Sequence, residues 1–167
     1  VIQFAQDAPQ TVANFLNYAD NHLYDQTFFH RLEKNFVLQA GGFKADQNDR
    51  PIKDASGNFV HIDTFPPVVN EFSPARSNLR GTLAMAKVPP TDDQGNPIPG
   101  GGPDSATSEF FFNLADNSQN LDNQNGGFTV FANVAFGMGI VDRIASLSLG
   151  SGTSTPVIPS RVKGQEP

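Results

Sequence analysis

Arg31 and Gln39 sit inside a strongly apolar run, residues 24–42, which reads YDQTFFHRLEKNFVLQAGG. Tyr24, Phe28, Phe29, Leu32, Phe36, Val37 and Leu38 surround them, His30 precedes the arginine, and Gly41-Gly42 closes the run. Arginine is permanently charged and offers several N–H donors in a fixed fork. Burying such groups among aromatics costs free energy unless they are paired. In a strand, the even separation between 31 and 39 puts both on one side, together with Val37; a loop or bulge between them breaks that count. The chemistry open to this set is hydrogen bonding and charge stabilisation against an apolar wall. On this run alone, a core hairpin in which Arg31 makes a structural ion pair explains the pattern equally well.

Other candidate groups carry less. Zero cysteines exclude disulfides and thiolate metal sites and fit either redox compartment. His61 has no obvious partner and reads as a surface or loop histidine. The Gly100-Gly101-Gly102 triplet invites comparison with a phosphate loop, but no Gly-Lys-Ser/Thr follows it. Asp92-Asp93 is a weak calcium candidate and reads better as solvated loop charge. No cofactor and no metal site is expected.

The elements that must position Arg31 and Gln39 follow from periodicity. The chain has 167 residues, enough to bury one core, with 15 Phe and no Trp, so phenylalanine supplies most of the aromatic packing. Residues 1–4 and 81–86 read as strands, as does the Phe-rich stretch 108–114 and the run from Phe128 through Val134. Residues 11–19 carry Val12, Phe15, Leu16 and Ala19 at helical spacing, with Asp7 or Thr11 as cap and Pro9 in the first turn. Residues 138–147 form a second amphipathic helix on Ile140, Val141, Ile144 and Leu147. Residues 42–65 and 88–104 are polar, rich in turn formers, and read as surface excursions. Residues 148–167 are a Ser-, Gly-, Thr- and Pro-rich tail; Val157, Ile158 and Val162 could form part of a strand, and Pro156 and Pro159 argue against a central one. Short strands with two helices suggest a closed antiparallel barrel capped at its ends.

Net charge is -6 with a pI near 4.8, which argues against nucleic acid and anionic membranes as partners. No apolar run approaches the roughly 20 residues that span a bilayer, and no secretory signal opens the sequence, though a mature form would have lost one. The acidic, cysteine-free, Asn- and Gln-rich composition leans toward an extracytoplasmic bacterial setting and leaves the cytoplasm open.

Three motifs in order, FHR…F..Q.GG at 29–42, GTLAMAK at 81–87 and SATSEFFFN at 105–113, resemble the cyclophilin family of peptidyl-prolyl cis-trans isomerases, its bacterial branch above all. The resemblance runs from Val1 to about Ile144 and implies an eight-stranded antiparallel β-barrel capped by two helices, in a single domain spanning 1–167. Family members begin with a strand ahead of the one matching residues 1–4, and that strand is absent from this sequence. The resemblance implies isomerisation of X-Pro bonds in peptides and folding proteins, with a module that only binds Pro-containing segments as the alternative. A carbohydrate- or metal-binding barrel is a third idea without a ligand cluster to support it.

Isomerising a prolyl bond needs neither a nucleophile nor a metal, so its rate should be nearly flat from about pH 6 to about pH 8. By resemblance Arg31 is the catalytic arginine, Gln39 bonds the substrate backbone, and Phe36 belongs to the same constellation. Val37, Phe111, Leu121 and Phe128 wall the proline pocket with Phe36, and Ala86 and Lys87 line the groove and pair with the substrate backbone. His30 is expected to be packed or hydrogen-bonded in the wall. Val37 stands where methionine is usual, and Phe128 where eukaryotic members often carry histidine. Glu109 replaces the family's usual glutamine, puts a negative charge at the rim of the groove, and is expected to pair with Arg31 or Lys87. Asn120 replaces the tryptophan many eukaryotic members use for cyclosporin, which implies weak cyclosporin binding. A monomer is expected.

Overall fold

The computed structural model describes residues 1–149 and 155–157. Its strands are β1 (Ile2–Gln3), β2 (Arg31–Glu33), β3 (Val37–Ala40), β4 (Thr82–Met85), β5 (Phe110–Asn113), β6 (Val130–Asn133), β7 (Ser148–Leu149) and β8 (Pro156–Val157). The helices are α1 (Pro9–Asp20), α2 (Ser118–Leu121) and α3 (Met138–Ala145). Among the described residues there are thus three helices where two were expected. The extra one, α2, is a single turn in a polar stretch that carries no helical period for a sequence reading to find.

Six strands form one antiparallel sheet in the order β1-β6-β4-β5-β3-β2, and β7 and β8 form a separate ribbon. Among the described residues hydrogen bonds do not join the two edges, β1 and β2, so the closed eight-stranded ring is not drawn by backbone pairing. The ribbon is tied to the sheet by Thr155, whose hydroxyl donates to the His30 carbonyl at 3.0 Å. Pro156 lies in this two-stranded ribbon, where a missing N–H is tolerated. Ile158, Pro159 and Val162 lie outside the described residues.

Alternation along the strands divides the side chains between two faces. Leu83 and Met85 of β4, with Phe110 and Phe112 of β5, join a core that includes Val12 and Phe15 of α1. Leu32 and Leu38 of the hairpin pack with Val141, Met138 and Ile144 of α3. The intervening residues, Val37, Ala84 and Phe111, emerge together on the other face with Leu121 and Val130. β6 departs from strict alternation because its register against β4 shifts between Leu83 and Ala84. That bulge lets Phe131 and Ala132 both enter the α1 side of the core.

α1 begins near Pro9, but neither Asp7 nor Thr11 caps it. Glu71, 60 residues from Thr11, accepts from the backbone N–H groups of Gln10 and Thr11 at 3.1 and 2.7 Å and from the Thr11 hydroxyl at 2.7 Å. A carboxylate at this end also meets the positive end of the helix dipole. The buried stripe is Thr11, Val12, Asn14 and Tyr18 rather than one through Leu16 and Ala19. Asn14 and Tyr18 can be buried because each has a partner: Asn14 donates to the Thr107 carbonyl at 2.6 Å, and the Tyr18 hydroxyl accepts from the Phe65 N–H at 2.8 Å.

The two polar excursions share one device. Asp46, Asp54 and Asp92 each accept, on Oδ1, the backbone N–H groups two and four residues ahead. A left-handed residue follows at Asp49, Gly57 or Gly95, and a bridge closes each tip: Ala45–Pro51, Lys53–Phe59 and Thr91–Pro97. The turn N–H groups hold the Asp46 and Asp54 carboxyls below the usual range, and the Asn96 side chain leads the same effect at Asp92. The second excursion stays largely exposed, as expected. The first does more than cross the surface. Its Phe43 ring packs edge-on against His30 at 4.7 Å and its Ile62 is buried, so it covers one flank of the hairpin. His61 is exposed at the edge of this patch, its ring tilted against Phe43 at 4.3 Å.

Candidate functional site

The β2–β3 hairpin places the arginine and the glutamine. Asn35, at φ 60, makes the tight turn, and the register sets Arg31 directly opposite Gln39 and Glu33 opposite Val37. The two polar residues share a face because they are cross-strand partners, although the chain between them turns. Arg31 donates from Nη1 to Gln39 Oε1 at 3.4 Å, and its Nε lies 3.7 Å from Glu33. The Arg31 side chain remains 40% exposed, so this is an open rim residue and not a buried structural ion pair.

Across from the hairpin, three other segments complete a cleft of about 210 Å³. Arg31, Phe36, Val37 and Gln39 come from the hairpin, Ala86 and Lys87 from the exit of β4, Phe111 from β5, and Leu121 and Phe128 from α2 and the loop that follows it. Nine of the ten site residues expected from the sequence therefore meet in one place. Phe111 and Phe128 meet edge to face at 5.8 Å, giving the floor a corner of two rings. Asn120 and Gln124 also line the cleft. Gln124 escaped the sequence reading; it stands four residues after Asn120 and donates to its Oδ1 at 2.6 Å.

Glu109 is the tenth. It lines a smaller adjoining cleft of about 110 Å³ with Gln39, Ala86, Lys87, Val88, Ser105 and Thr107. It pairs with neither Arg31 nor Lys87. Its Oε2 accepts from Gln39 Nε2 at 2.6 Å and lies 3.3 Å from His30 Nε2. A Cβ on Gly42 would come within 2.5 Å of its Oε1, so the glycine makes room for the carboxylate. Burial works to raise this carboxyl, but the hydrogen bond and charge of His30 and the Gln39 amide outweigh it, and Glu109 sits below its usual range. The carboxylate reaches the hairpin across the β3–β5 pairing, where it meets His30 and Gln39 rather than either cation. His30 is packed in the wall as expected, with 9% of its side chain exposed. It directs Nε2 at Glu109, while among the described residues Nδ1 has no partner.

The cleft rests on buried amides that the sequence reading missed. Asn113 donates to Asn78 Oδ1 at 3.1 Å and to Thr82 at 2.9 Å, and Asn117 donates to Asn113 Oδ1 at 2.7 Å and to the Phe36 carbonyl at 2.8 Å. Asn78 donates to Asp122 at 2.8 Å and to the Phe128 carbonyl at 2.9 Å; Ser77 also donates to Asp122. This chain holds Phe36 and Phe128, two walls from distant segments, in one frame. The only sequence signal was an asparagine ending the FFF run, where an apolar residue would have been unremarkable.

Lys87 behaves differently from its neighbour Ala86. Its ammonium turns away into the 123–127 loop, donating to the carbonyls of Asn125 and Gly127 at 2.6 Å each, and lies 4.7 Å from the centre of the Phe128 ring. Burial pushes it down to about 8, against an upward pull from Asp104.

Comparison with known proteins gives the family. Residues 2–165 match the family model described as cyclophilin type peptidyl-prolyl cis-trans isomerase/CLD. A peptidyl-prolyl cis-trans isomerase of Acinetobacter baylyi is 38% identical over 141 residues, 84% of this chain and 62% of that relative. Peptidyl-prolyl cis-trans isomerase B of Escherichia coli is 35% identical over 153 residues, 88% of this chain and 77% of that one. This chain thus spans less than two thirds of the Acinetobacter relative's length. A Cryptosporidium parvum cyclophilin has the same fold at a TM-score of 0.66 and 20% identity, covering 93% of this chain and 82% of that one; it has also been solved in the presence of the dipeptide Ala-Pro. With the family model matching nearly end to end and bacterial relatives above one third identity, the chain belongs to the cyclophilin-type peptidyl-prolyl cis-trans isomerase family, on its bacterial branch.

Proposed function

We propose that this chain accelerates cis–trans isomerisation of X-Pro bonds in peptides and in folding proteins. One observation carries the reading: a permanent cation, an amide and an apolar corner, drawn from four separate segments, face one open cleft. The barrier to isomerisation is amide resonance, about 18–20 kcal/mol. In the twisted state the amide nitrogen becomes pyramidal and basic. Arg31, aimed at that nitrogen, binds the twisted state better than the planar one and so lowers the barrier. Gln39 bonds the substrate backbone, and Phe36, Val37, Phe111, Leu121 and Phe128 take the proline ring. The backbone at Ala86 and Lys87 pairs with the peptide, and Glu109 marks the acidic rim.

The contact to Gln39 engages Arg31 Nη1 and the contact to Glu33 faces Nε, so the fork keeps donors for a ligand. Glu109 does not hold the guanidinium, which favours turnover over a module that only binds. The same reading takes residues 1–167 as one domain and as a monomer, and the sheet as the family's closed eight-stranded barrel. The Thr155 bond to His30, which brings the C-terminal ribbon to the β2 edge, supports that closure. Asn120 offers little wall for cyclosporin, so weak binding of that ligand belongs to the proposal.

The deciding experiment is a protease-coupled assay on an Ala-Pro peptide at catalytic enzyme concentration. Acceleration over the thermal rate is expected. Binding of the peptide without acceleration would favour the binding-module alternative.

A further inference from the structure

We propose that the Lys87 ammonium is a positioning group that locks the 123–127 loop against the cleft, so that the affinity for a proline-containing peptide depends on its charge. The proposal rests on the isomerase reading of the cleft and deepens it.

Asn125, Gly126 and Gly127 are three successive left-handed residues, at φ 47, 75 and 76. Such a run is unfavourable unless something holds it, and glycine twice in three positions lowers the cost. It turns the Asn125 and Gly127 carbonyls toward the same point, and Lys87 Nζ sits there at 2.6 Å from both. The carbonyl between them faces the other way and accepts from Asn70 Nδ2 at 2.7 Å. Gly127 lies close against the Phe72 ring, which a Cβ there would meet at 2.3 Å. The held loop connects Leu121 and Gln124 to Phe128, all of which line the cleft.

An ammonium has three N–H donors and no lone pair. Two go to the carbonyls, and the charge lies over the Phe128 ring at 4.7 Å. A neutral amine loses charge assistance in both bonds and the cation–π attraction, and a lone pair replaces its third N–H. The charged groups around Lys87 are Asp104, Glu109 across the adjoining cleft, and Arg31 on the far side of the main cleft. Burial brings its deprotonation down to about 8, so the lock is engaged below that pH and loosens above it.

The test follows the 13C-carbonyl shifts of Asn125 and Gly127 from about pH 7 to about pH 9.5, in parallel with the Kd of an Ala-Pro peptide. In the wild type both carbonyls are expected to titrate, and Kd to rise about threefold or more over that range, the loss of one modest hydrogen bond. Lys87→Arg keeps its charge throughout, so its Kd ratio between the two pH values should stay near one whatever its absolute affinity. Lys87→Met should show at neutral pH the weakened affinity that the wild type shows only when alkaline. Carbonyl shifts that stay flat in the wild type, or a wild-type Kd ratio matched by Lys87→Arg, would overturn the lock. If Lys87→Met does not fold, the wild-type and Lys87→Arg titrations still decide. An enzyme that fails to accelerate the peptide at neutral pH would instead remove the isomerase reading, and the carbonyl titration would judge the lock independently.

Discussion

Replacing Arg31 with alanine separates catalysis from folding. The side chain is 40% exposed, and its ion pair with Glu33, itself 46% exposed, is a long 3.7 Å. Exposed pairs of this kind contribute about 0–1 kcal/mol, so stability should fall by no more than about 1 kcal/mol, or ~2–4 °C in Tm for a chain of this size. The hydrogen bond to Gln39, at 3.4 Å, is also weak in the resting protein. In the twisted state the same guanidinium meets a basic nitrogen, and a hydrogen bond to a charged group is worth about 1.5–3 kcal/mol. That predicts a drop of about 10- to 150-fold in kcat/KM. The assay is protease-coupled isomerisation of an Ala-Pro peptide, with thermal unfolding run on the same samples. Arg31→Lys, which keeps the charge but not the fork, should fall between the two. Because no proton is exchanged with a titrating side chain, kcat should stay flat from about pH 6 to about pH 8, and the Lys87 effect should enter through affinity at higher pH. Unchanged kcat/KM in Arg31→Ala, with Tm preserved, would refute the reasoning.

Glu109→Gln should help peptides with glutamate before the proline more than those with lysine, by an amount that shrinks with salt; equal rates on both peptides at low salt would reject the acidic rim. Because the Glu109 carboxyl is held below its usual range, the carboxylate stabilises the fold above that range and the benefit is lost as pH falls through the lowered value. The glutamine variant should therefore show a flatter acid limb in denaturation followed against pH. Deleting residues 92–101 should leave one cooperative unfolding transition, because loop closure depends weakly on length and the Gly102 bond to Val88 survives; broad or multiphasic melting would make the segment part of the core. Asn78→Ala leaves the Phe128 carbonyl without its side-chain donor and takes one bond each from Asp122 and Asn113, so urea unfolding should show a loss of about 1–3 kcal/mol. A loss below about 0.5 kcal/mol would remove the amide frame from the account of how the cleft is held.

Period and turn chemistry are local, and what depends on them could be read from the chain. The alternation of β5 sends Phe111 to the cleft and Phe110 and Phe112 to the core, and the second turn-rich excursion stays largely exposed as its composition suggests, whereas the first also buries Ile62 against the hairpin's flank. Arg31 and Gln39 do share a face, but through hairpin register; a count along one strand reached the same side by a different route. What the chain could not disclose are the partners of its polar groups, because those depend on which distant segments the sheet order brings together. Glu109 meets Gln39 across 70 residues, Glu71 caps α1 across 60, and Lys87 grips Gly127 across 40. A carboxylate or an ammonium has the same local signature wherever it ends up. Its partner is chosen by register and by how loops close, so residue types and spacing determined the family and the cleft's chemistry, while only the tertiary structure decided which charges are spent within the wall and which remain for a ligand.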